Sequence, residues 1–125
     1  MKAKSKITKY PGGNKKIETY KETDDTLVTK HFYNTKDGFV KEFISLKDGI
    51  TKIKHFTLKG VTSKIEHFVD DKRQGEEIKY FISKAGSIKS IKNYENGKLH
   101  GKKITYNENG EIIKREIFEE GKLVK

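Results

Sequence analysis

The chain contains no cysteine. That excludes a disulfide framework and any thiolate metal site, which are staples that a small secreted domain often needs. Proline occurs once, as Pro11, so the 11 glycines mark turns and not a disordered tract. Arginine occurs twice, as Arg73 and Arg115. This argues against bidentate reading of phosphates or base edges, where arginine predominates. No apolar run approaches the ~18 residues of a membrane span. The start, Met1-Lys2-Ala3-Lys4-Ser5-Lys6, is basic but leads into no apolar stretch, unlike a signal peptide. A cytoplasmic, soluble protein is the expectation, with export by a route lacking a cleaved signal as the alternative.

Leucine and alanine are also scarce, at 5 and 2, against 19 isoleucines and valines. β-Branched side chains suit a pleated surface and lose rotamer freedom in helices. Apolar residues nowhere recur with helical period for long. Lys/Glu-rich turns alternate instead with runs of five to eight residues ending in an aromatic. These aromatics are Tyr10, Tyr20, Phe32, Phe43, Phe56, Phe68, Tyr80, Tyr94, Tyr106 and Phe118, spaced 10 to 14 residues apart. Short strands at regular spacing predict consecutive antiparallel hairpins.

The turn residues define two kinds of run. In long runs the aromatic lies seven or eight positions after Gly13, Gly49, Gly60, Gly86 or Gly110. In short runs it lies five positions after Gly38, Gly75 or Gly101. Asp25 takes the turn place before Phe32. Asp37-Gly38, Asp48-Gly49, Asn96-Gly97 and Asn109-Gly110 are favoured pairs for tight hairpins, which need positive φ. Isoleucine stands three places before the aromatic in long runs (Ile17, Ile53, Ile65, Ile91). It stands two before in short runs (Ile78, Ile104). Strand alternation puts the long-run isoleucine and its aromatic on opposite faces. Lys54 and Glu66 are expected as neighbours across the Gly60 hairpin. The predicted fold is all-β: an elongated, twisted antiparallel meander of about ten short strands, with no substantial helix. Isoleucine and aromatic ladders replace a globular core in a thin, largely single-layer sheet; a β-sandwich is the alternative. Residues 1–125 form one domain, with 1–37 a degenerate or capping part and 38–125 the regular repeats.

The chemistry is sparse. No nucleophile elbow, phosphate loop or metalloprotease spacing occurs. His55 and His67 hold equivalent places in adjacent strands, which invites a shared metal. A metal site needs three or four ligands, and no carboxylate is placed to complete one. The expectation is no catalytic residue, no metal and no cofactor. The net charge is +10: residues 1–20 carry +5, residues 21–50 carry −1 and residues 51–125 carry +6. Such a surface favours an acidic partner. Aromatics interleaved with lysine could also stack single-stranded bases, and the N-terminal lysines could meet an anionic membrane. A partner-binding surface is expected among Lys30, His31, Lys54, His55, Lys64, His67, Lys79 and Lys92.

The best-preserved copy is Tyr94-Glu-Asn-Gly97-Lys-Leu-His-Gly101-Lys-Lys-Ile-Thr-Tyr106-Asn-Glu-Asn-Gly110, followed by Phe118-Glu-Glu-Gly121-Lys. It resembles the MORN-type repeat, in the bacterial form found in YwqK-type antitoxin proteins. The likeness is specific over residues 80–125, degraded over 38–80 and weak over 1–37. The positions that carry it are Gly38, Gly49, Gly60, Gly75, Gly86, Gly97, Gly101, Gly110, Tyr80, Tyr94, Tyr106 and Phe118. The resemblance implies a binding role without catalysis, commonly as the antitoxin or immunity partner of a toxin. Lipid contact and self-association are the other implied roles; independently, the unpaired edges of the terminal strands make a monomer or an edge-strand dimer the expected state.

Overall fold

The structure is a computed structural model in which residues 5–125 are described. Lys2 and Lys4 of the basic arm lie outside the described residues. The chain forms β1 (Lys6–Lys9), β2 (Lys15–Lys21), β3 (Leu27–Phe32), β4 (Val40–Lys47), β5 (Ile50–Phe56) and β6 (Thr62–Val69). It continues through β7 (Lys72–Arg73), β8 (Gly75–Tyr80), β9 (Ile88–Glu95), β10 (Lys98–Tyr106), β11 (Ile112–Glu119) and β12 (Lys122–Leu123). All twelve belong to one antiparallel sheet in chain order, with β7 pairing β6 beside β8. The N-terminal third thus continues the sheet as β1 to β3. Among the described residues no helix is long and apolar enough to cross a membrane.

The strands outnumber the predicted ten for two reasons. Gln74 interrupts one strand into β7 and β8, and residues 122–123 add a short twelfth. Two-residue turns close β4–β5, β6–β7, β9–β10 and β11–β12. In each, both central residues have positive φ: Asp48 and Gly49, Asp70 and Asp71, Asn96 and Gly97, Glu120 and Gly121. That is the type I′ geometry, whose twist matches the flanking strands. Asp25, at φ 69°, fills the turn place expected of it. At the other end of the sheet the connections are longer. Thr57 and Asn107 each hydrogen-bond the residue four positions on and accept from Gly60 and Gly110, a turn closed by a glycine bulge.

Three expectations need correction. Gly75 and Gly101 are not hairpin turns: Gly75 opens β8 and Gly101 lies inside β10. Asp70-Asp71 and Asn96-Gly97 make those turns, and the two glycines sit in bulges where β8 and β10 carry extra residues against their partners. Phe43 is not at a strand end either, because β4 runs on to Lys47. Finally, Lys54 pairs with Ile65 and Ile53 with Glu66, which puts Lys54 and Glu66 on opposite faces. The Gly60 turn shifts the register by a bulge between His55 and Phe56.

The bulges tie successive hairpins together. The Gly97 N–H donates to the Arg73 carbonyl at 2.9 Å, and the Gly121 N–H to the Leu99 carbonyl at 2.8 Å. The tip of each later hairpin therefore rests on the bulged strand of the one before. The sheet is one layer thick. Tyr20, Val28 and Phe32 are its only buried hydrophobics among the described residues.

Candidate protein-binding face

Strand pairing divides the side chains between two faces of different chemistry. One cross-sheet row runs Thr8, Ile17, His31, Glu42, His55, Lys64, Lys79, Ser90, Thr105, Lys114. The same face carries Ile44, Ile53 and Glu66, and then Glu77, Lys92, Lys103 and Glu116. Its charges neutralise one another. Glu66, only 4% exposed, accepts from His55 Nε2 at 2.7 Å and Arg73 Nη2 at 3.0 Å, with Lys64 Nζ at 3.6 Å. Glu42 approaches His55 Nδ1 at 3.8 Å. Glu77, equally buried, has Arg73 Nε at 3.5 Å and Lys92 Nζ at 3.8 Å. Glu116 pairs with Lys103 and Lys114.

Burial opposes the charge of Glu66, but the His55 hydrogen bond, the Lys64 ammonium and Arg73 outweigh it and hold its carboxyl below the ordinary value. Burial, and then the neighbouring Lys79, push Lys92 below the usual lysine value. Arg73 also sits 5.6 Å from the ring centres of both Phe68 and Tyr94. One guanidinium therefore joins two carboxylates and two rings. Tyr94 is raised, first by burial and then by Glu77. This face uses most of its charges on itself, with Lys79 outside the ion pairs.

The other face carries the row Ile7, Glu18, Lys30, Phe43, Lys54, Ile65, Ile78, Ile91, Ile104, Arg115. Four isoleucines from four adjacent strands form an unbroken ladder, each half-buried. Phe56, Tyr80 and Tyr106 share this face at the ends of their strands and flank the ladder. No other layer of the described chain covers it. Its cations Lys30, Lys52, Lys54, Lys102 and Arg115 form no ion pair among the described residues. The Lys30 ammonium lies 5.3 Å from the Tyr20 ring centre and 5.6 Å from that of Phe43, although Glu18 is its cross-strand partner. Lys54 lies 5.6 Å from the Phe56 ring centre. Hollows open along the same line. Phe43, Ser45, Lys52, Lys54 and Phe56 line one of about 280 Å³. Ile65 and Tyr80 help line another of about 530 Å³, and Ile104 and Arg115 a third of about 400 Å³.

The residues predicted for one surface are therefore split. Lys30, Lys54 and His67 share the isoleucine face, while His31, His55, Lys64, Lys79 and Lys92 lie on the ion-paired face. His55 and His67 point to opposite sides, because Lys52 pairs with His67 and His55 with Lys64. Glu42 and Glu66 both meet His55, but among the described residues no group of three His, Cys, Asp or Glu side chains is placed to hold a metal ion. The ladder, Lys52, Lys102 and Arg115 were missed as a surface. A signal for part of it existed: Asp48-Gly49 as a two-residue turn pairs Lys47 with Ile50, and counting back sets Phe43 against Lys54. Compared with family models, curated proteins and solved structures, the chain finds no match.

Proposed function

We propose that this chain is a non-catalytic module that binds an acidic protein surface through its isoleucine face. The observation that carries this reading is the contrast between the faces. One pairs most of its charges, Lys79 aside, while the other offers an uncovered apolar ladder rimmed by cations that lack carboxylate partners. A contiguous exposed apolar surface with a polar rim is the usual mark of an interaction site. The rings nearest the cations already carry an ammonium over them, which leaves less free π-surface for stacked bases and disfavours single-stranded nucleic acid.

The resemblance of the repeat to MORN-type antitoxins points to a toxin or effector as the partner, neutralised by occlusion of its active region. The cysteine-free chain suits a reducing cytoplasm. The test is co-expression of the tagged chain with the product of the adjacent gene. Co-purification and rescue of growth are expected, and both are expected to be lost in the Lys30→Glu/Lys54→Glu variant. The Lys79→Glu/Lys114→Glu variant, altered on the opposite face, is expected to keep both. Loss in the second pair alone would place the contact on the ion-paired face and overturn the reading.

A further inference from the structure

We infer that the element seated on this face is an amphipathic helix of the partner, laid across the strands along the isoleucine ladder, with carboxylates at both ends of its apolar stripe. The inference rests on the protein-binding reading and names the shape and chemistry of what is bound.

The first argument is backbone satisfaction. Within the sheet the backbone N–H and C=O groups are already spent on neighbouring strands, so the face offers side chains only. An extended segment lying flat on apolar side chains would bury its own backbone groups unpaired, which is costly. A helix satisfies its backbone internally and presents only side chains.

The second argument is the order of chemistry along the row. Lys54 stands at one end, Ile65, Ile78, Ile91 and Ile104 follow, and Arg115 stands at the other. The row crosses five strand spacings, about 24 Å at ~4.8 Å each. That is about 16 residues of helix at ~1.5 Å per residue. Hollows lie towards both ends of the ladder, at Ile65 and Ile104, where large apolar side chains of the helix can seat.

The third argument is charge. A second copy of this chain would bring the same cations face to face with Lys30, Lys52, Lys54, Lys102 and Arg115, against Glu76, Glu119, the buried Glu18 and Glu95, which is already paired with His100. An occupant with acidic ends removes that repulsion.

The experiment uses the full chain and a fluorescein-labelled peptide of about 16 residues. The peptide carries leucines at helical spacing and glutamates in its first and last turns. Fluorescence anisotropy is expected to report binding. A peptide with lysine ends, and one broken by a central proline, should each bind at least tenfold more weakly. Ile91→Asp should weaken binding at least tenfold while circular dichroism confirms that it stays folded. Arg115→Glu, at the rim, should reverse the preference between the two end chemistries. Equal binding of the proline and helical peptides, or no effect of Arg115→Glu, overturns the inference. Failure of the peptide while the natural partner is still captured overturns the helix alone; failure of both overturns the protein-binding reading as well.

Discussion

At the scale of single residues, Glu66 shows how a one-layer sheet makes an interior. Its carboxylate is screened from water by the side chains that neutralise it, so packing and charge are the same interaction. Removing one partner of a buried charge group costs more than the pair contributes, because the remainder is left uncompensated. Arg73 and His55 keep partial access to water, which moderates the loss. We expect Glu66→Ala to destabilise the protein by about 1–3 kcal/mol, measured by urea unfolding. The pH dependence follows from the lowered carboxyl value. A carboxylate depressed in the folded state stabilises fully above its unfolded value, near 4.5, and loses that contribution as pH falls through the folded value. The stability gap between the parent and Glu66→Gln should therefore close as the solution becomes more acidic than about pH 4.5. A gap that persists unchanged well below pH 4 would show that the charge of Glu66 is not what stabilises the fold.

At the scale of elements, the tips and bulges carry the repeat. Gly97 holds φ 85° and donates to Arg73, so it both turns its own hairpin and docks it on the preceding one. A Cβ here meets only Lys72 at 3.8 Å, so space is available and the cost lies in the backbone. Gly97→Val should lose about 1–3 kcal/mol, and Gly97→Asn less, because asparagine tolerates this region. Equal thermal midpoints for parent and valine variant would contradict the turn assignment. Strand order, the Asp48-Gly49, Asn96-Gly97 and Asn109-Gly110 turns and the opposite placement of Ile65 and Phe68 were legible in the sequence, since each depends on local periodicity and turn chemistry. Which residues share a face was not. A glycine at positive φ reads the same in a turn as in a bulge, so Gly75 and Gly101 look like turns. Each bulge shifts the register of everything that follows. That is why Lys54 and Glu66 separate; Lys30 and His31, and Lys54 and His55, divide for the simpler reason that consecutive strand residues face opposite ways.

At the scale of the whole molecule, charge is sorted by position. The turns at one end of the strands hold Glu22, Asp24, Asp25, Asp48, Asp70, Asp71 and Glu120, and no lysine or arginine. The lysine excess lies on the strands, and on the isoleucine face it lacks partners. Repulsion between like faces should keep this apolar surface apart from its copies. Salt weakens that barrier, because the screening length falls from about 10 Å at 0.1 M to about 3 Å at 1 M ionic strength, while burial of the ladder remains favourable. Light scattering is therefore expected to give the mass of one chain at low ionic strength and a rising mass towards 1 M sodium chloride. Ile91→Asp, which puts a charge in the middle of the ladder, should stay monomeric throughout. If the parent is dimeric at low salt and Ile91→Asp does not change that, the contact lies elsewhere, at the open edges of β1 or β11. Ile7 on β1 and Ile113 on β11 are exposed there, at 42% and 63%, and unpaired backbone groups invite strand addition.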